Sequence, residues 1–434
     1  MSEIVLNNIL SVGFLCMWIF TLIGYQLLKN RWDGGSIVII FYIIYAIFSI
    51  MTLNDPLFSI AFNPLKIFPY IYLYIMMIIA LSPIAIHHCN NTSEIENPNT
   101  RILYFLCITI IICSILLIPG IIADGGSGLV SIFIDSSAGK DAYLEQVEGV
   151  EGSGSAIRNL PAIIFNALID IAIFLFFYFL TLKKKNIWML LGLLFTFIIN
   201  FLMCISQGQR GGLVISMLTL IGGYMLFKQY MSEKINKISR NIGIFLSVLV
   251  SLPIIFITIS RFDGESGGIG GFVNWYVGQG SLYFNNYGLN PGGCRNGDRT
   301  ISFFKRFVDP TTPKNFVERR DKYHNMEIND NFFSTFVGDF TLDFTPIGAV
   351  IIFVVFNIVI IKLTREKGRQ IKLYRLLLLY FSLCISLQGG MTLFSYSDVS
   401  GNLRMFNYLL LYSYLRYHER LSITFPLQKE EKEK

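Results

Sequence analysis

Long apolar runs, nearly free of charged residues, recur from one end of the 434-residue chain to the other. A run of about 18 to 25 such residues crosses a hydrocarbon layer of roughly 30 Å as a helix. Eleven spans are expected, at 4–28, 36–53, 68–88, 102–122, 161–182, 187–205, 213–227, 242–259, 346–362, 373–393 and 403–418. With 53% hydrophobic and 15% charged residues, the chain reads as an all-α polytopic membrane protein. The first run is too long for a signal-peptide core and has no basic residue before it, so it should remain as a helix.

The net charge of +6 is no argument for nucleic acid, because most Lys and Arg sit in short clusters between apolar runs. Of the 35 basic residues, 21 fall in one alternate set of connectors, from Lys29 and Arg31 to the tail after Arg416. The other short connectors hold five, and nine more lie in one long segment that counts little for topology. This contrast puts the N-terminus outside and the C-terminus inside. Residues 1–122 then form four spans and 123–160 an outer loop, rich in Gly and Ser and acidic despite Lys140 and Arg158. Four spans follow over 161–259, a large outer loop over 260–345 between spans 8 and 9, three spans over 346–418 and an inner tail over 419–434. The nearly balanced charge and the aromatic content of Ser260–Thr345 predict a folded element lying against the membrane.

Six of the seven cysteines lie in or at the ends of apolar runs, which leaves no disulfide framework and no metal quartet. His87-His88-Cys89 looks metal-like, but adjacent histidines on a helix rarely converge on one ion and no further inside ligand is evident. No phosphate-binding glycine motif of the nucleotide-driven pumps is present. Asp170 is the one clear acid within a span, where ion-coupled transporters usually keep several ionisable groups.

Ser206-Gln-Gly-Gln-Arg-Gly-Gly breaks two apolar runs at the outer end. Arg210 offers a rigid donor fork suited to phosphate oxygens, and Gly211 and Gly212 let a phosphate or a backbone come close. An interfacial arginine above a tight turn is the simpler alternative. Arg261 and Arg404 emerge at the same level from other spans, so a pyrophosphate clamp and three structural arginines both stand as readings. For a general base, His324 has suitable chemistry, although a lone loop histidine is more often ordinary surface. Asp339 and Asp343, four residues apart just before span 346–362, fall on one helical face if that helix begins early, and serve as base, as acceptors for sugar hydroxyls, or as charges offsetting a helix dipole. Asp330 is a weaker candidate of the same kind. Trp275, Tyr276 and Tyr283 suit either sugar stacking or an interfacial aromatic belt.

Phe62-Asn-Pro-Leu-Lys-Ile-Phe, the Arg210 motif and Ser334-Thr-Phe-Val-Gly-Asp-Phe-Thr-Leu-Asp-Phe-Thr-Pro-Ile-Gly together resemble the bacterial oligosaccharide repeat-unit polymerases, the Wzy-type O-antigen and capsular polysaccharide polymerases. Thr345-Pro346 departs from that family's pattern, replacing the first glycine of its late-helix entry. The resemblance implies a membrane glycosyltransferase of the C-type (GT-C-like) fold in the bacterial inner membrane. It would need neither metal nor other cofactor, and would join undecaprenyl-pyrophosphate-linked oligosaccharides at the periplasmic face with release of undecaprenyl pyrophosphate. On the same footing, Arg210 and Arg261, with Arg404, hold the donor pyrophosphate and His324 or an acid takes the acceptor proton. A chain-length regulator is the partner such polymerases usually have. Two alternatives are an O-antigen ligase and a lipid-linked oligosaccharide flippase or transporter.

Overall fold

The computed structural model describes residues 3–87, 92–96, 98, 101–134, 160–207, 209–262, 268–328, 330–366 and 368–424; for 123–134, 260–262 and 419–424 it describes the backbone alone. Most of the expected outer loop 123–160, the tail from 425, Gly208, His88 and Cys89 lie outside the described residues. Each expected span falls on a helix. These are α1 (Glu3–Lys29), α2 (Gly34–Leu53), α3 (Ile67–His87), α4 (Arg101–Ile134), α5 (Leu160–Thr181), α6 (Ile187–Ser206), α7 (Arg210–Phe227), α8 (Glu233–Phe262), α12 (Thr335–Thr364), α13 (Leu373–Gln388) and α14 (Asp398–Thr424).

Nine helices among the described residues are both long and apolar enough to cross a membrane, against the eleven expected. The two that differ do so for different reasons. Helix α13 has only 16 residues, about 24 Å at the usual rise. Helix α14 is long but carries polar and charged side chains through much of its length. Despite its length, α13 forms the centre of the molecule, with Leu376, Leu377, Tyr380, Leu383, Cys384 and Leu387 all fully enclosed. A helix apolar on every side belongs in such a position.

Contacts between connectors sort the helix ends into two groups. At the end carrying the basic connectors, the short strands β1 (Glu94–Glu96) and β2 (Gln370–Lys372) pair in parallel, and the Thr92 and Tyr230 hydroxyls lie 2.8 Å apart. At the opposite end, Asn54 donates to Asn8 at 2.8 Å, and Asn285 and Asn286 accept from the backbone N–H groups of Lys66 and Asn63 at 2.8 and 3.0 Å.

The long segment between α8 and α12 does not begin as a loop. It opens with α9 (Gly268–Tyr283), which packs along α2 and passes into a π-helical turn at Phe284–Gly288. Glycine permits this approach: a Cβ on Gly278 would collide with the Phe48 carbonyl, and one on Gly280 would come within 2.8 Å of the Gly390 carbonyl. Ser49 Oγ donates to the Gly278 carbonyl at 2.6 Å, fixing the crossing point. Two short helices follow, α10 (Ser302–Lys305) and α11 (Phe316–Lys322).

Replacement of Gly278 by Leu should therefore dislodge α9, lowering stability by about 1–3 kcal/mol or more as overpacking does. Gly270→Ala, where an added Cβ meets nothing within 4 Å, is the control and should be near neutral. Thermal unfolding of the detergent-solubilised protein, run on both variants, measures the difference.

Candidate functional site

Asp339 and Asp343 lie one helical turn apart near the start of α12, and that spacing turns both toward Arg295. Arg295 Nε donates to Asp343 Oδ1 at 2.8 Å. The other oxygen of Asp343 accepts from the Thr300 N–H at 2.7 Å, the Thr300 hydroxyl at 2.8 Å and the Arg299 N–H at 3.2 Å. That carboxylate is fully enclosed with four donors around it, so its geometry is that of an anchor and not of a base open to a substrate. Asp339 Oδ2 accepts from the Thr392 hydroxyl and the Leu393 N–H at 2.6 and 2.7 Å, while Oδ1 faces Arg299 Nη1 at 3.1 Å.

Asp330 extends the cluster. It accepts from Arg295 Nη1 at 2.6 Å and from Arg319 Nε, and Arg319 reaches on to Asp398. Burial alone would raise the Asp330 pKa, but the charges of Arg295, Arg299 and Arg319 outweigh it and hold the carboxyl below its ordinary range. At Asp398 the balance is reversed: burial pushes the carboxyl up, and Arg319 and Arg299 offset only part of that rise. Beside this cluster, Asp298 accepts from Lys322 and the Tyr323 hydroxyl, both at 2.7 Å, and from Lys305. His324 stands apart on the exposed surface, its Nδ1 2.9 Å from the Asp321 carbonyl.

Arg210 opens α7 and is 8% exposed, its guanidinium 4.4 Å from the centre of the Tyr276 ring on α9. A Cβ on Gly211 would come within 3.2 Å of the Tyr276 hydroxyl, and one on Gly212 within 2.8 Å of Cys204 Sγ at the end of α6. A side chain at Gly212 would thus have to displace Cys204, and one at Gly211 would press on the Tyr276 hydroxyl. Tyr276 is itself held edge-on by Phe333, whose ring centre is 5.0 Å away. Trp275 stacks on Phe58 with ring centres 5.7 Å apart, and Tyr283 is buried against Phe332 at 4.5 Å, so the Tyr283 face expected for a sugar is taken by packing.

Arg404, in the second turn of α14, lies 3.6 Å from Asp170 Oδ1 on α5, and Tyr396 donates to the other Asp170 oxygen at 3.0 Å. Arg210 and Arg404 both begin helices in the group of ends that bears the long segment. The backbone of Arg261 is at the end of α8 in the same group of helix ends, while its side chain lies outside the described residues. Arg295, Arg299 and Arg319 were not singled out from the sequence; the near balance of charge in their segment was the available signal, and it carries no pairing information.

Removal of one partner from a buried ion pair leaves the other charge uncompensated, so Asp343→Ala should cost roughly 3–5 kcal/mol, and Arg295→Met in the same chain should restore part of it. Thermal unfolding reads both. The pH dependence has a definite sign. The folded pKa of Asp330 is depressed, so its contribution is complete above the unfolded value of about 3.9 and is lost as pH falls through the folded value. Asp398, raised on folding, contributes most below its unfolded value and loses that contribution as pH rises through the folded one. Asp330→Asn should flatten the fall in melting temperature seen below about pH 4. Comparison of the chain with family models, with curated proteins and with solved structures gave no match.

Proposed function

We propose that this chain is an oligosaccharide repeat-unit polymerase. In this reading the end bearing the long segment faces the periplasm, the basic connectors face the cytoplasm, all eleven spans cross the inner membrane, and the bundle is of the C-type glycosyltransferase class. The substrates are undecaprenyl-pyrophosphate-linked oligosaccharides, and the reaction transfers the growing chain from one lipid to the sugar of another, releasing undecaprenyl pyrophosphate.

The observation that carries the reading is the placement of Arg210. A cation in the first turn of a helix adds to the positive end of the helix dipole, and the face of the Tyr276 ring offsets part of that cost. An anion bound at that corner reverses the sign. The first-turn N–H groups of α7 and the guanidinium would then face the same pyrophosphate, with Arg404 reaching it from α14. As the bond from the anomeric carbon to the pyrophosphate oxygen breaks, negative charge grows on the leaving oxygen, and the two arginines stabilise it in a site of low dielectric. Tyr276 supports this by packing under Arg210 and fixing its plane. The acceptor hydroxyl loses its proton as it attacks. Of the four candidate bases, Asp343 is saturated and Asp330 and Asp339 are enclosed by the arginine cluster, which leaves His324 as the one with an exposed ring.

Arg210→Ala should lower polymer output by roughly 100-fold or more, the scale seen when one donor to a developing oxyanion is removed. Arg404→Ala should also lower it, and Arg210→Lys should retain part of the activity because the charge remains without the fork. Polymer length and amount, read on gels with protein level checked, decide the matter. Normal polymer in both alanine variants would remove the pyrophosphate role. In a deletion strain, a single capped repeat unit means polymerase, whereas lipid-linked polymer left unattached means ligase.

A further inference from the structure

A cavity of about 950 Å³ lies at the end bearing the long segment, between the first turns of α5, the first turn of α14 and helix α11. Its volume is at the upper end of the roughly 300–1,000 Å³ typical of ligand pockets. The helix side is apolar, from Ala162, Ile163 and Leu403. The opposite side carries Lys314, Asn315 and Glu318, and Asn166, Ser400 and Asp398 complete the polar lining.

The charge of that lining selects the ligand class. Lys314 and Glu318 balance one another and Asp398 is paired with Arg319, so the wall is close to neutral and offers no net attraction to a phosphate or a carboxylate. Amide, hydroxyl, ammonium and carboxylate groups together supply donors and acceptors in similar measure, which suits a ligand bearing many hydroxyls. Phe316 adds an aromatic surface for the apolar C–H face of a sugar ring. We propose that this cavity is a binding site for a neutral saccharide chain, separate from the Arg210 corner.

The floor of the cavity gives the site a direction. Asn166 lies one helical turn from Asp170, Leu403 precedes Arg404, and Asn407 donates to the Ala167 carbonyl at 3.1 Å beneath them. A saccharide filling the cavity therefore runs with one end toward the Arg404–Asp170 pair. Its role as the acceptor chain rests on the polymerase reading; its chemical class rests on the lining alone.

The test measures binding without polymerisation. Fluorescently labelled full chain in lipid nanodiscs is applied to an array of neutral, anionic and amino-sugar oligosaccharides. Neutral glycans should be captured, and Ala162→Trp and Ser400→Trp, which fill the cavity from two sides, should each weaken capture at least tenfold. Should either Trp variant fail to fold, judged by thermal unfolding, Glu318→Ala on the exposed face of α11 replaces it and should weaken capture measurably. Arg210→Ala should leave capture unchanged, because that residue belongs to the other site. Capture of no glycan, capture confined to anionic glycans, or capture indifferent to the cavity variants overturns the assignment. Neutral-glycan capture in a chain whose Arg210→Ala variant still makes normal polymer would uphold this site while removing the pyrophosphate role.

Discussion

The contact between Arg295 and Asp343 is the one on which the rest of this end of the molecule depends. Both side chains are almost wholly enclosed, and taking two ions out of water costs several kcal/mol each before any attraction is counted. Completeness makes the arrangement tolerable. Asp343 is met by four donors, and Arg295 is shared among Asp343, Asp330 and the Asp339 carbonyl. Through these bonds residues 295–300, 319–330, 339–343 and 392–398 are tied together. The long segment is thereby fastened to the ends of α12 and α14. Three arginines meet four carboxylates there, and the surplus negative charge is consistent with Asp398 being the carboxyl that burial pushes up.

A break in α12 makes this fastening possible. Thr345 adopts φ +65° and is followed by Pro346, which lacks an N–H and disfavours the helical conformation at the residue before it. The Pro346 carbonyl is taken by the Tyr72 hydroxyl at 2.6 Å. The piece before the break carries Asp339 and Asp343 into the ion cluster, and the piece after it runs on as an apolar helix. Thr335, Thr345 and Asp398 all have positive φ, a conformation costing about 1–3 kcal/mol at such residues. Each sits where the cluster or the break over-determines the backbone. The Thr345-Pro346 pair is thus the point at which the helix changes role.

Apolar periodicity made the spans legible because each needs only its own residues to be recognised. What escaped was whatever depends on a partner distant in sequence. Helix α9 read as a loop because its glycines are turn residues in isolation, yet Gly278 and Gly280 serve close helix packing. Tyr283 looked available for a sugar until Phe332 covered it. Asp339 and Asp343 were rightly placed on one helical face, but the sequence does not show that Arg295 and Arg299 occupy the space in front of them. For Asp170 and Arg404 a rule was at hand. Ionisable groups within apolar runs seek one another, and this acid and this arginine do so.

The same contrast separates the arginines by use. Arg295 holds its carboxylates at 2.6 and 2.8 Å and Arg299 faces Asp339 at 3.1 Å, whereas Arg404 meets Asp170 at 3.6 Å through a single ion pair. A charge enclosed by several carboxylates contributes little field beyond them, because each opposite charge cancels it at short range. Arg295, Arg299 and Arg319 are thus neutralised by the carboxylates around them, whereas Arg210 lies at the positive end of α7. Of the nine basic residues in the long segment, Arg295, Arg299 and Arg319 are taken by the Asp cluster and are thereby withheld from any other anion.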